Sequence, residues 1–480
     1  MIADLLATQA AATPDAVAIE EPAAGRGLTY AALDAMAGQA AGWLAGQGVG
    51  QGDRVALLCR NRAEVFVLLF ACWRAGAIVV PLNWRLTPAE RAVLLADIEP
   101  ALVLAEPEFL ADGMVSLPAS FDAAPVPPCA REPDAIWYLI YTSGTSGEPK
   151  GVIYTPRMAL ANRDNVAAFL ALGPGESCLT MLPLFHTAGL NLYALPMLMT
   201  GGRVRLLRDA DAEAVLAHIG AVTAVFAVPT IYERIARLPA FDAADLSSVR
   251  FWGSGGAPLR PDLIERFAAR GAILCGGMGM SETGPTAFVM DPASARARPT
   301  SVGRAQPLVE VRIMGETGAL GPDQVGEIWF AGPGVTPGYW RRPDPRVALD
   351  GRRWLRSGDL GRIDAAGYAT IVGRIGDMIR SGGETVHASE VEAVLAMHPA
   401  VAEVAVAGEA DAEWGEVPVA YVVATAPVST HELAAHCRAH LAGFKAPRRF
   451  RFVEALPRNV LGKVMRSRLA ELADIQRQPA

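Results

Sequence analysis

A short polar segment, YTSGTSGEPKGV at residues 141–152, lies between two apolar runs and combines hydroxyl side chains, glycines and one lysine. Glycine leaves backbone N–H groups accessible, and the hydroxyls place further hydrogen-bond donors around them. The ammonium of Lys150 adds a compact positive charge. Because an array of donors with one cation suits a chain of phosphate groups, we interpret the segment as a polyphosphate-binding loop.

Two other kinds of loop share this composition. One is an ordinary solvated turn. The other is the P-loop of kinases and nucleoside triphosphatases, in which a lysine directly follows a glycine at the start of a helix. Here Pro149 precedes Lys150, and the residues that follow favour a strand. The spacing and context exclude the P-loop and leave the solvated turn as the alternative.

Lysine is rare in this chain: of 43 basic residues only Lys150, Lys445 and Lys463 are lysines, and the rest are arginines. A bias toward arginine codons explains the general pattern. A lysine that persists under this bias indicates a position that needs a compact ammonium rather than a planar guanidinium. Lys150 lies in the polar loop, and Lys463 lies in the segment NVLGK near the C-terminal end.

The composition indicates a globular protein of two or three domains. The chain has 480 residues, 51% of them apolar, and a net charge of −7, which disfavours a nucleic-acid partner. Its apolar runs are shorter than the roughly 20 residues of a membrane-spanning helix. Its first basic residue is Arg26, so we expect neither a membrane span nor a secretory signal. Six scattered cysteines without a CxxC pair indicate reduced thiols and a cytoplasmic location.

The hydrophobic pattern alternates between strands and helices over most of the chain. Buried strands are predicted at residues 53–59 and 76–82, with apolar residues at helical spacing between them. This alternation predicts an α/β fold with a largely parallel sheet covered by helices. After Arg374 the pattern changes, and we predict two domains, residues 1–374 and residues 375–480.

The polar loop and nine other segments resemble, in their order, the motifs of the adenylate-forming superfamily of acyl- and aryl-CoA synthetases, luciferases and peptide-synthetase adenylation domains. The nine are LTY (28–30), LPLFHTAG (182–189), GSGGAP (253–258), GMGMSETG (277–284), GEIWFAGPGVTPGYW (326–340), LRSGDLG (355–361), GRIGDMIRSGGETVHASEVE (373–392), GFKAP (443–447) and NVLGK (459–463). The resemblance spans nearly the whole chain. It implies a large N-terminal domain of helix-covered sheets with a distorted β-barrel, followed by a small mobile α+β domain that carries the catalytic lysine.

In this family a carboxylic acid reacts with ATP to form an acyl-adenylate, and the CoA-ligase branch then transfers the acyl group to coenzyme A. The first step brings two anions together, the carboxylate and the α-phosphate, so the site has to offset charge with a cation, a metal ion and oriented donors. The resemblance implies Mg²⁺ bound by Glu282. The catalytic residues that it implies are Lys463, Thr142, Glu282 and His186.

The resemblance also implies which residues contact ATP. They are Thr142, Ser143, Gly144, Thr145 and Lys150 at the β- and γ-phosphates; Gly255, Gly256, Ala257, Pro258 and Met278 at the adenine; Gly279, Met280 and Ser281 as further nucleotide-binding residues; Asp359 at the ribose hydroxyls; Arg374 at the ribose or phosphate; and Lys463 at the α-phosphate. A carboxylate such as that of Asp359 suits the ribose, because its two oxygens each accept a hydroxyl proton.

The remaining implied residues contact CoA and the acid. Those for CoA are Ser381, Gly382, Gly383 and Glu384, beside the pantetheine arm, and Phe444 and Lys445, beside the nucleotide. Those for the acid are His186, Gly189, Phe226, Ser254, Gly277 and Thr283. The segment 181–198 carries no lysine or arginine, which argues against a second carboxylate on the substrate.

Two positions depart from the family pattern. Met278 stands where an aromatic residue often stacks on adenine, and a thioether can still pack against the ring. Gly376 stands where the family usually has a charged hinge residue, and glycine tolerates a wider range of backbone angles. We therefore expect weaker ATP binding and a retained hinge.

These observations predict an AMP-forming acid–CoA ligase for an aromatic or medium-chain monocarboxylic acid, with ATP, Mg²⁺ and CoA, as a monomer or homodimer. One alternative is a stand-alone adenylation enzyme that loads a carrier protein. Another is a catalytically silent nucleotide-binding module, which Lys150, Glu282 and Lys463 disfavour. His436 and His440 are four residues apart on a predicted helix, and we interpret them as a solvated face rather than a metal site.

Overall fold

The computed structural model describes residues 1–143, 149–381, 384–458 and 464–472. The chain forms two compact units. The first unit comprises residues 1–311 and 330–355, and the second comprises residues 312–329 and 356–480. The predicted boundary near residue 374 stays a prediction, because compactness does not show where a chain rotates.

Helices and strands alternate as the sequence pattern predicts. The helices are α1 (Leu5–Ala12), α2 (Tyr30–Gly46), α3 (Glu64–Ala75), α4 (Pro88–Ile98), α5 (Pro156–Ala167), α6 (Thr187–Leu190), α7 (Ala194–Leu198), α8 (Ala212–Ile219), α9 (Pro229–Ala236), α10 (Pro261–Ala268), α11 (Pro292–Ala295), α12 (Ala388–Leu395) and α13 (Thr430–His440). The strands of the first unit include β1 (Val17–Glu21), β2 (Arg26–Thr29), β3 (Arg54–Leu58), β4 (Ile78–Pro81), β5 (Leu102–Ala105), β6 (Val115–Ser116), β7 (Tyr138–Ser143), β8 (Pro149–Tyr154), β9 (Ser177–Thr180), β10 (Arg203–Leu206), β11 (Ala224–Ala227), β12 (Phe251–Ser254), β13 (Leu274–Met278), β14 (Phe288–Val289) and β15 (Gly303–Ala305). The later strands are β16 (Glu310–Gly315), β17 (Gly318–Ala319), β18 (Gly326–Ala331), β19 (Val347–Leu349), β20 (Arg352–Ile363), β21 (Tyr368–Arg374), β22 (Met378–Ser381), β23 (Glu384–His387), β24 (Val401–Asp411), β25 (Gly415–Ala424) and β26 (Arg449–Phe452).

Two sheets organise the first unit. One has the strand order β6-β5-β3-β4-β7-β8, and the other runs β15-β14-β13-β12-β11-β9-β10-β1-β2. In the second sheet β9, β11, β12 and β13 are parallel neighbours, with Ser254 paired to Ala227 and to Gly276. The C-terminal ends of these strands therefore meet at one edge, the usual location of a ligand site in an α/β protein.

Helices cover these sheets because they are apolar on the faces that meet them. Helix α3 is buried around almost its whole circumference, in keeping with its run of large apolar residues. Around Trp252, residues of α8, α9 and α10 form a continuous core that includes Tyr232 and Phe267. This core holds the ends of β11 and β12 rigidly in place.

The second unit is built on the long antiparallel hairpin of β24 and β25, in which Ala405 pairs with Tyr421. Helices α12 and α13 pack on one side of it through Leu395 and Leu433. Leu469 packs in a separate core with Tyr421. Strands β20 and β21 pair antiparallel, so that Asp359 lies opposite Arg374.

The α/β class and the smaller α+β unit are confirmed. The expected distorted barrel is not confirmed. Within the described residues, the paired strands form open sheets, and no sheet closes into a barrel. A barrel needs its first and last strands to pair, and a motif pattern does not report that pairing. Among the described residues, no helix combines the length and the apolar character needed to span a bilayer.

Candidate active site

The predicted phosphate loop connects the two strands of a hairpin. Strands β7 and β8 pair antiparallel, with Thr142 opposite Lys150 and Ser143 opposite Pro149. Both strands extend into the polar segment 141–152 itself. Lys150 lies in strand β8 rather than at the start of a helix, which confirms that the segment is not a P-loop. Gly144 and Thr145 lie outside the described residues, as does the side chain of Ser143.

Lys150 and Glu282 both contact the same aromatic side chain. The ammonium of Lys150 lies 5.4 Å from the ring centroid of Tyr339, and the Tyr339 hydroxyl donates to Glu282 Oε1 at 2.9 Å. Burial, and then the neighbouring carboxylate, raise the pKa of Tyr339, so the phenol keeps its proton and remains a donor. Tyr339 lies within the motif segment 326–340, but the motif gives no sign of its contacts with Glu282 and Lys150.

The backbone also fixes this arrangement. Trp340 N donates to Gly151 O at 2.7 Å, and Ile153 N donates to Gly338 O at 3.1 Å, so residues 338–340 run beside β8. Thr336 N donates to Glu282 O at 2.8 Å. The Glu282 side chain is only 8% exposed. A carboxylate held this firmly has its orientation set before any ligand binds.

The Thr283 hydroxyl belongs to the same turn. It accepts from Met280 N at 3.1 Å, and it donates to Met280 O at 3.1 Å. Thr283 is predicted to contact the acid, but in this structure its hydroxyl stabilises the backbone between β13 and Glu282.

The residues predicted around the adenine lie at the C-terminal ends of β12 and β13. Gly255 is buried, whereas Gly256, Ala257 and Pro258 are exposed and accessible to a flat ring. Gly256 has φ +83°, a backbone conformation that favours glycine. Met278 ends β13 partly exposed, which leaves its thioether accessible for packing.

The two residues predicted at the ribose and phosphate lie in the second unit and contact each other. Arg374 Nε donates to Asp359 Oδ1 at 2.6 Å across the β20–β21 pair. The Ser357 hydroxyl accepts from Asp359 N at 2.9 Å, and it donates to Ile328 O at 2.6 Å. This network orients the Asp359 carboxylate before any ligand binds.

His186 is the N-cap residue of α6 and is held as a neutral imidazole. Its Nδ1 accepts from Ala188 N at 3.1 Å, so the ring proton lies on Nε2. Burial lowers the pKa of His186 to about 4. Gly189 allows α6 to lie against the preceding segment, because a Cβ at residue 189 would lie 2.3 Å from Pro183 O.

A narrow cavity lies beside α6. The lining residues are Leu179, Thr180, Met181, Leu182, Ala188, Gly189, Tyr193, Ala194 and Phe226. It therefore contains the predicted acid residues Gly189 and Phe226, and no charged side chain. Tyr193 lies within residues 181–198, the segment expected to form part of the acid site, but no motif marks it as a lining residue.

One wall of this cavity is aromatic. The rings of Tyr193 and Phe226 meet edge to face, with centroids 5.8 Å apart. Both rings lie over glycines: a Cβ at Gly253 would lie 2.3 Å from the Tyr193 hydroxyl oxygen, and a Cβ at Gly255 would lie 3.2 Å from Phe226 Cζ. Since strand residues alternate faces, Ser254 points to the opposite face of β12. Its hydroxyl is buried and has no hydrogen-bond partner among the described residues.

Gly277 contacts the sheet rather than the cavity, since a Cβ there would lie 3.0 Å from Phe288 O. The cavity wall therefore gathers two residues that the sequence places in the acid site, Gly189 and Phe226. Gly255, which is predicted to contact adenine, lies against the Phe226 ring. The packing of the backbone decides which face each residue presents.

The residues predicted for CoA lie in the second unit. Ser381 and Glu384 pair at the end of the β22–β23 hairpin. Lys445 Nζ donates to both carboxylate oxygens of Glu390, at 2.7 and 2.8 Å. Phe444 is 39% exposed, as a stacking platform would be. Gly382, Gly383 and the catalytic candidate Lys463 lie outside the described residues.

His436 and His440 of α13 both contact backbone carbonyls. His436 Nε2 lies 2.9 Å from Val394 O, and His440 Nδ1 lies 2.9 Å from His436 O. No group of three or more histidine, cysteine or acidic side chains in the described part of the chain is arranged to hold a metal ion.

Comparison with known proteins gives the class of the molecule. The family of AMP-binding enzymes matches residues 6–340, and the AMP-binding enzyme C-terminal domain matches residues 390–463. A feruloyl-CoA synthase from Amycolatopsis sp is 38% identical over 95% of this chain and 95% of its own length. An indoleacetate–CoA ligase from Aromatoleum aromaticum is 36% identical over 93% of each chain. The solved structure of o-succinylbenzoate coenzyme A synthetase from Bacillus subtilis in complex with ATP and magnesium ion has a TM-score of 0.88, at 32% identity, and covers 98% of this chain and 99% of that one.

The chain belongs to the AMP-binding enzyme family, in the class of AMP-forming acid–CoA ligases. Enzymes of this class use ATP and CoA. The resemblance inferred from the motifs is confirmed, and so is the predicted activation of a carboxylic acid followed by transfer to CoA.

Proposed function

We propose that this acid–CoA ligase acts on a flat aromatic monocarboxylic acid. The observation that supports this most directly is the aromatic wall of the cavity, where Tyr193 and Phe226 lie directly over Gly253 and Gly255. An aromatic wall of this kind suits an aryl ring, which can pack edge to face or stacked against Phe226. Two relatives, named for feruloyl and indoleacetate substrates, also act on aromatic acids.

The charge of the cavity supports a single carboxylate on the substrate. Its lining contains no lysine or arginine, and His186 stays neutral at neutral pH because burial lowers its pKa to about 4. A second carboxylate on the tail of the substrate would be desolvated there without a cation, at a cost of several kcal/mol.

The adenylation step has a defined role for each predicted residue. Thr142, Lys150 and the loop between them bind the phosphates that leave as pyrophosphate, while Lys463 contacts the carboxylate and the α-phosphate. The carboxylate oxygen attacks the α-phosphorus, the bond to the β-phosphate oxygen breaks, and the acyl-adenylate remains. Cations and donors that are in place before the reaction offset the charge that gathers on these oxygens.

Glu282 fits the role of the Mg²⁺ ligand. Mg²⁺ usually takes one or two protein carboxylates together with phosphate oxygens and water, and the turn 281–283 presents one oriented carboxylate, held by Tyr339. When bound, the ion neutralises charge on the phosphate oxygens.

The second step transfers the acyl group from AMP to the CoA thiol. We propose that Ser381, Glu384 and Phe444 contact CoA in this step, and that residues 375–480 rotate about Gly376 to bring them into place. Because Lys445 is paired with Glu390, a CoA phosphate would have to compete with that carboxylate for the ammonium. A cytoplasmic enzyme agrees with the use of ATP and CoA, and with six free cysteines.

The acid class can be tested with a substrate panel. CoA-dependent AMP release is measured with aryl acids, arylalkenoic acids and medium-chain aliphatic acids. We expect the highest kcat/KM with a flat aromatic acid. A higher kcat/KM with the aliphatic acids would contradict the proposal.

A pair of matched variants gives the structural control. Phe226→Leu should lower kcat/KM for the aromatic acid about tenfold relative to an aliphatic acid, as expected for the loss of one ring contact and part of its buried area. Phe241→Leu is the control, because Phe241 is fully buried and packs against Phe267 rather than in the cavity. It should lower stability and leave the substrate ratio unchanged.

A further inference from the structure

A directed chain of buried hydrogen bonds runs through the first unit. The Tyr154 hydroxyl donates to Ser281 O at 2.6 Å and lies 2.7 Å from the Thr187 hydroxyl. A phenol has one proton, and since Ser281 O accepts it, the Thr187 hydroxyl donates to Tyr154. Thr187 in turn accepts from Asn191 Nδ2 at 3.0 Å, and Asn191 Oδ1 accepts from the Tyr138 hydroxyl at 2.7 Å.

This chain connects segments that serve different ligands. Thr187 is the first residue of α6 and follows His186 directly. Ser281 directly precedes Glu282, in the turn proposed to bind the metal ion. Tyr154 ends β8, the strand that begins at Pro149 and carries Lys150. One side chain therefore links the acid cavity, the metal-binding turn and the phosphate hairpin.

The surroundings keep the Tyr154 hydroxyl in place. Tyr154 and Tyr138 are both fully buried, and their rings stack with centroids 4.7 Å apart and an angle of 14° between the planes. Thr187 and Ser281 are 3% and 5% exposed. Removal of the Tyr154 hydroxyl would leave the Ser281 carbonyl with only the long hydrogen bond from Gly284 N, at 3.4 Å, and would leave the Thr187 hydroxyl proton without its acceptor.

We propose that Tyr154 is a positioning residue that couples the acid cavity to the metal-binding turn. Occupation of the cavity fixes α6, and the Tyr154 hydroxyl transmits that fixed position to the turn that carries Glu282. MgATP and the acid therefore bind cooperatively, and each ligand tightens the binding of the other by the same factor. This inference rests on the proposed placement of the acid beside α6 and of the metal ion at Glu282.

The coupling factor is measured directly by calorimetry. The Kd of the acid is determined with and without a non-hydrolysable ATP analogue and Mg²⁺, in the wild type and in Tyr154→Phe. The acid is whichever member of the panel the wild type activates best, so an error in the proposed acid class leaves this test intact. We expect the analogue to tighten acid binding about tenfold in the wild type, and the phenylalanine variant, which keeps the ring stack, to lose most of that factor.

Tyr30→Phe is the matched control. Tyr30 is fully buried and its hydroxyl donates to a backbone carbonyl, that of Gly202, at 2.7 Å. We expect the Tyr30→Phe variant to keep the coupling factor of the wild type, even if its thermal stability falls by as much as that of Tyr154→Phe. Wild-type coupling in Tyr154→Phe, equal loss in both variants, or absence of coupling in the wild type would overturn the proposal.

Variants of Thr187 provide an independent test if Tyr154→Phe does not fold. Thr187→Ser keeps the hydroxyl and should keep the coupling factor, whereas Thr187→Val removes the hydroxyl at nearly constant volume and should lose it. If serine and valine at residue 187 have the same effect, the hydrogen-bond chain does not carry the coupling.

Discussion

Close approach of the backbone explains why some glycines of the site cannot be replaced. A Cβ at Gly279 would lie 1.4 Å from Pro285 O, a distance that no shift of a side chain relieves. The family resemblance implies that Gly279 binds the nucleotide, but packing within the turn already requires glycine there. A motif residue can therefore be fixed by the fold as well as by the ligand.

His186 leads to a prediction about pH. Its pKa is about 4 in the folded protein against an ordinary value of 6.5, so between these values the unfolded chain binds a proton that the folded protein does not. Stability should therefore fall as the pH falls from 6.5 toward 4, by at most about 1.4 kcal/mol per pH unit from this group.

The measurement is urea unfolding at several pH values between the two pKa values, for the wild type and for His186→Asn. Asparagine keeps a side-chain acceptor for Ala188 N but does not titrate. We expect a smaller loss of stability on acidification in the variant. Equal slopes for the two proteins would show that His186 titrates normally.

At the scale of elements, strand pairing decides how the site is held. The β7–β8 hairpin presents Thr142 and Lys150 side by side, and residues 338–340 lock against it through two backbone hydrogen bonds. The C-terminal ends of β11, β12 and β13 then place the cavity beside α6 next to the glycine-rich turns. Each of these groups thus has support from two or more elements, which limits its motion.

The short turn Ile375–Asp377 gives the prediction at this scale. A Cβ at Gly376 would meet nothing within 4 Å, so packing does not require glycine there. The remaining reason for glycine at this residue is the proposed rotation of residues 375–480. Gly376→Pro fixes φ at this residue. Because a disallowed hinge conformation costs free energy, the rate of the thioester step should fall about tenfold or more, and the rate of adenylation should fall far less.

Pyrophosphate exchange reports adenylation alone, and single-turnover thioester formation from acyl-adenylate reports the second step. Gly376→Ala is the control, since alanine fits the space and leaves φ free, and it should retain both activities. A parallel fall in both steps for the proline variant would count against the hinge.

At the scale of the whole molecule, the residues proposed for the two chemical steps are divided between two compact units. The first unit holds Lys150, Glu282 and the cavity beside α6, and the second holds Asp359, Arg374 and the residues proposed for CoA. We propose that the C-terminal segment supplies the Lys463 ammonium in the first step and withdraws it in the second.

Lys463→Ala should abolish adenylate formation and leave thioester formation from a supplied acyl-adenylate largely intact. The loss in adenylation should reach about a hundredfold or more, as for removal of a donor that acts on transition-state charge. Lys463→Arg is the informative companion, since a guanidinium keeps the charge but not the compact geometry. Equal loss of the two half-reactions would contradict the assignment.

The sequence by itself determined the class of chemistry. Phosphate binding needs glycines, hydroxyls and an ammonium within one short segment, and 141–152 contains them contiguously. The α/β alternation, the glycine-rich turns and the carboxylates Glu282 and Asp359 are likewise local in sequence. Local patterns can be recognised without knowledge of the fold, because their geometry depends on residues that are neighbours in sequence.

Only the tertiary structure decided which side chains connect these motifs. Tyr154 is 33 residues from Thr187 and 127 from Ser281 in sequence, yet it hydrogen-bonds to both. Tyr339 is 57 residues from Glu282. Tyr193 packs against Gly253 of strand β12. A hydrogen bond needs its atoms within about 3 Å and in line, and packing of distant elements sets such distances, which no pattern along the chain can specify.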